Sequence, residues 1–70
     1  MMQPVYSYVV MRDDKPIAVM RSDCGRIFHS VVQVDAMEQG ARSIPPFSHG
    51  AREYSIGPLR YALLIVPQAR

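Results

Sequence analysis

A chain of 70 residues, 49% hydrophobic and 20% charged, with a formal net charge of +2, describes one small folded domain over residues 1–70 and excludes a disordered tail. One cysteine excludes an internal disulfide, and no apolar run approaches the roughly 18 residues of a membrane-spanning helix. Eight Lys and Arg residues, seven of them Arg, are spread from Arg12 to Arg70 without the cluster or stripe that a dedicated nucleic-acid binder shows. The N-terminus lacks the basic start and apolar core of a signal peptide, so a cytoplasmic location is expected. Opening on Met1-Met2, the chain reads as a complete small protein. At this size folding buries only about 60% of the unfolded chain's surface, so stability is marginal without a staple, a metal or a partner.

Val5 to Met11 is dense in β-branched and aromatic residues and predicts a strand over 5–11. Both of its faces are largely apolar. Arg12-Asp13-Asp14-Lys15-Pro16 is a polar turn, and a second strand over 16–21 completes a hairpin, with Pro16 able to begin it but not to sit inside it. Ser22-Asp23-Cys24-Gly25 is a second turn signal.

Residues 27–41 are ambiguous. As a strand over 26–34, Phe28, Val32 and Val34 share a face with Ser30. His29, Gln33 and Asp35 then point outward with Ile27 and Val31. As a helix near 31–39, Ser30 and Gln33 have capping-box spacing and Gly40 serves as the C-terminal cap. The valines at 31, 32 and 34 are poor helix formers and favour the strand. Residues 40–51 form a long loop stiffened by Pro45-Pro46. Short strands follow over 52–56 and 59–66, separated by the turn Gly57-Pro58 and ended by Pro67.

The final strand is apolar on both sides. Leu59, Tyr61, Leu63 and Ile65 lie on one; Ala62, Leu64 and Val66 lie on the other, interrupted only by Arg60. Such a strand expects cover on both faces. The expected fold is mainly β, a five-stranded curved antiparallel sheet or small barrel. The alternative is α+β, two hairpins with one helix near 31–39.

No chemical motif rises above background. Cys24, His29 and His49, with Asp23 or Asp35, match no zinc spacing, and Cys24 lies in a turn beside the charge of Asp23. They read as a turn cysteine and two ordinary histidines, so no metal, no cofactor and no catalytic residue is expected. The acidic residues offer no acid–base pair, and the glycines are isolated.

The expected function is therefore binding without catalysis. The chain reads as a regulator or inhibitor of another protein, of the kind carried by phages and mobile elements, and as a homodimer. Candidate partner contacts are Arg42, Ile44, Phe47 and Arg52, from the stiff loop and its flank, since a pre-ordered segment loses less entropy on binding. Candidate self-association residues are Tyr61, Leu63 and Ile65. The alternative is a small β-barrel that stacks single-stranded nucleic acid on sheet aromatics. Tyr6 and Tyr8 would then act with Arg21, Arg26 and Arg60, helped by Phe28, Tyr54, Tyr61 and Arg52. No membrane partner is expected.

Overall fold

A computed structural model describes residues 6–46, 48 and 50–67. The element order is β1 (Tyr6–Arg12), β2 (Lys15–Met20), α1 (Gly25–Glu38), β3 (Glu53–Ile56) and β4 (Leu59–Pro67). The strands form one antiparallel sheet in the order β2-β1-β4-β3, with α1 packed on one face. Two hairpins are thus joined at the centre of the sheet by the pairing of β1 with β4, from Tyr6↔Pro67 to Arg12↔Tyr61.

Local chemistry explains the hairpins. Asp13 and Asp14 both take positive φ, 52° and 66°, as a two-residue hairpin turn of the I′ kind requires. Aspartate tolerates that region because its short side chain bonds locally. Asp13 also clamps the start of β4: its N–H donates to the Arg60 carbonyl at 2.8 Å, and its carboxylate accepts from the Arg60 N–H at 3.1 Å. Gly57, at φ 59°, followed by Pro58 makes the β3–β4 turn in the II′ pattern. In β2 the register passes from Val10↔Ala18 to Met11↔Pro16, so Ile17 is the extra residue of a bulge. Pro16, which has no N–H to give, lies on this edge strand.

The expected strand over 26–34 is instead helix, and the sheet has four strands and does not close into a barrel. The α+β alternative has the right architecture, two hairpins and one helix, but α1 begins six residues earlier than 31. Burial overrides propensity here. Phe28, Val32 and Ala36 recur every four residues and form a fully buried stripe, with Val31 packed beside it. Ser30 caps nothing; its hydroxyl donates to the Arg26 carbonyl one turn back, at 3.0 Å. Gly40, at φ 100°, does end the helix. Its N–H donates to the Met37 carbonyl and the Ala41 N–H to the Ala36 carbonyl, the paired bonds of a Schellman motif.

The core is a single layer between helix and sheet: Val10, Met20, Phe28, Val32, Ala36, Ile56, Tyr61 and Leu63. The loop contributes Ala41 and Ile44, which pack against it.

The helical spacing separates Phe28 from Val34, which the strand reading put on one face. Phe28→Ala should cost about 3–5 kcal/mol, enough to unfold most of so small a domain. Val34→Ala, at a side chain 59% exposed, should change stability by less than about 0.5 kcal/mol. Urea denaturation followed by circular dichroism measures both, and comparable losses would contradict the helical stripe.

Candidate interaction surface

Alternation along β1 and β4 assigns each side chain to one of two faces. Tyr8, Val10 and Arg12 on β1, and Tyr61, Leu63 and Ile65 on β4, lie on the helix side. On that side a charged pair sits at the margin of the core. Asp35 of α1 accepts from the Arg12 guanidinium at 2.5 Å through Oδ1 and from the Tyr61 hydroxyl at 2.5 Å through Oδ2. One carboxylate thus ties the helix to both central strands. Burial pushes the Asp35 carboxyl up, but the bonds from Arg12 and Tyr61 and the charge of Arg12 outweigh it and hold it below its ordinary value. Burial, then the hydrogen bond to Asp35 and its charge, pushes the Tyr61 hydroxyl up. Burial does the same for Tyr54, whose ring meets Phe28 edge-on at 5.6 Å and lies 6.2 Å from Tyr61.

The opposite face carries no helix among the described residues. Its central row, Val19–Val9–Leu64, crosses three strands, flanked by Ser7–Val66 on one side and Met11–Ala62–Glu53 on the other. Val19 is 68% exposed, Leu64 47% and Val66 40%. The polar margin lies at one end. There Asp13, Asp14, Glu53 and Arg60 line a single depression of about 200 Å³ together with Met11 and Ala62. A contiguous aliphatic face with a polar rim at one end has the make-up of a contact surface.

The sequence-derived candidates distribute unevenly over this frame. Tyr61 and Leu63, expected at a self-association surface, are buried in the core beneath α1. Ile65 lies on the same side but is 54% exposed. The uncovered phase of β4 is the other one, Ala62, Leu64 and Val66. Ile44 is half-buried against the core, Arg52 is exposed and paired with Asp23 at 3.0 Å, and Arg42 lines an open cavity of about 420 Å³ between the end of α1 and the β3–β4 turn. Phe47 and His49 lie outside the described residues.

Of the nucleic-acid candidates, Tyr6 opens β1 and Tyr8 is half-buried against the core. Arg21, Arg26 and Arg60 are exposed at the end of β2, in the first turn of α1 and on β4 respectively. Phe28 and Tyr61 are core residues, and Tyr54 packs against that core. Cys24 is exposed at the start of α1, and among the described residues no group of three or more His, Cys, Asp or Glu is placed to hold a metal ion. No helix among them is long and apolar enough to cross a membrane. The residue that sequence reasoning missed is Asp35 as partner of Arg12 and Tyr61. The signal was its helical spacing, one turn beyond Val31 and beside Val32 and Ala36.

Because the folded-state Asp35 pKa is depressed, its contribution to stability is present above the unfolded value of about 3.9 and is lost as pH falls through the folded value. Wild-type unfolding midpoints in urea should therefore drop as pH is lowered below about 4, and Asp35→Asn should flatten that acid limb. An identical acid limb in the variant would show that the carboxylate contributes nothing. The chain matches no family model, no curated protein and no solved structure.

Proposed function

We propose that this chain is a non-catalytic protein-binding module, a regulator or inhibitor that acts by occupying or assembling protein surfaces through the helix-free face of its sheet. The observation that carries the reading is the exposed aliphatic row Val19–Val9–Leu64 with Val66 beside it. Fully burying a Val or Leu side chain contributes about 1.5–3 kcal/mol, so the part-exposed Val19, Leu64 and Val66 together offer roughly 3 kcal/mol. Association costs about 4–15 kcal/mol in lost freedom. A ligand touching only that row gains too little, and a partner that spans the whole face gains enough. That size requirement favours a protein. The aliphatic character of the face points the same way, because single-stranded nucleic acid is held by stacking on aromatic rings.

The test is affinity capture with the tagged chain in an extract of the cells that make it, with and without nuclease, alongside Leu64→Glu. The expected result is a stoichiometric protein that survives nuclease and is lost with the variant. Recovery of nucleic acid alone, lost on nuclease treatment, would overturn the reading and put the nucleic-acid alternative in its place.

A further inference from the structure

We propose that the resident occupant of the uncovered sheet face is a second copy of this chain, packed face to face about a two-fold axis to give a four-layer helix–sheet–sheet–helix dimer. This rests on the preceding reading that the face is a contact surface, and three observations identify the occupant.

The edges of the sheet are guarded and its face is not. β2 carries Lys15, Pro16 and the bulge at Ile17, while β3 is only four residues long and begins beside Arg52 with Glu53. These are the devices by which edge strands avoid pairing with other strands. The centre of the helix-free face has no such device, so cover arrives from above rather than alongside.

The face is as broad as the whole sheet, and a stable contact has to cover all of it. Four strands about 4.8 Å apart and about six residues long span roughly 19 by 20 Å, near 400 Å² in projection, and the relief of the side chains raises the accessible area above that. A specific interface buries about 800 Å² per partner. A single docked strand or helix covers only part of this face. A sheet of the same width covers all of it, and β-branched faces pack on one another about 10 Å apart with strands nearly aligned.

The charges are self-complementary. Place the two-fold axis parallel to the strands, above the seam between β1 and β4. β4 of one copy then lies over β1 of the other at the same level along the strands. Val9 meets the mate's Leu64, and Arg60 meets the mate's Asp13-Asp14 turn, twice in each dimer. The register supports this, since Val9 pairs Leu64 and the Asp13 N–H reaches the Arg60 carbonyl within one chain. An axis perpendicular to the strands would instead set Arg60 near the Ser7–Val66 end, where neither β1 nor β4 carries a carboxylate.

Sedimentation equilibrium of the purified chain, from micromolar to submillimolar concentration, tests this. A dimer is expected. Leu64→Glu should raise its Kd by about a hundredfold or more, because each dimer then buries two uncompensated carboxylates. Should that variant fail to fold, cross-linking decides. In a Cys24→Ser background, a mixture of Val9→Cys and Leu64→Cys chains treated with a short bis-maleimide, whose reach suits sheets about 10 Å apart, should give cross-linked pairs, and Val34→Cys on the helix should give none. A wild-type monomer across the range, or cross-linking through the helix but not the sheet face, overturns the proposal. If a monomer still captures a protein from extract through Leu64, only the second copy is excluded. If it captures nothing, the protein-binding reading falls with it.

Discussion

One helix has to serve a four-stranded sheet whose central strands, β1 and β4, are largely apolar on both sides, and the rest of the structure follows from that shortage. α1 reaches three of the four strands closely and seals one face with Phe28, Val32 and Ala36. It leaves nothing for the other face. The loop after α1 packs its Ile44 against the existing core. Among the described residues the uncovered face therefore follows from an apolar pair of central strands with a helix on one side, and under the proposed reading a partner removes that surface from water.

The helix is held in place as much by polarity as by packing. Arg12, Asp35 and Tyr61 come from three separate elements, and the carboxylate bonds both of the others. Charge-assisted bonds of this kind are directional, so they fix the orientation of α1 over the seam in a way that the small apolar residues Val32 and Ala36 do not. The same arrangement explains why the hydroxyl of Tyr61 does not serve as a surface donor, although its strand is exposed on the reverse side.

Strand positions were legible because β-branched runs and turn residues coincide: the strands over 6–12, 15–20, 53–56 and 59–67 lie within a residue or so of those expected. The helix was not, because Val31, Val32 and Val34 have a strand former's side chains and only non-local contacts make helical spacing the better solution. The two-sided character of β4 was also legible, but its phase was not. When both alternations are apolar, periodicity says nothing about which is buried. The informative residue was Arg60. A strand places its polar interruption on the open side, so the face of Arg60, with Ala62, Leu64 and Val66, was the one to read as exposed. The partnership of Asp35 was hidden by the same misassigned segment, since a strand reading turned it outward.

The central pairing of β1 with β4 has a kinetic consequence. Tyr6 and Pro67 are partners across almost the whole chain, so the middle of the sheet is its least local contact. The β1–β2 hairpin and α1 can form from neighbours in sequence, but the inner edge of β1 must wait for β4. Closing so long a loop precedes any reward from the pairing, which places this step late in folding and makes it slow for a domain of this length. During synthesis, the N-terminal hairpin emerges with Val9 and Val10 on an unpaired strand edge and stays so until residues near 66 have left the ribosome. That interval, rather than the finished sheet, is when this chain is most exposed to misassembly.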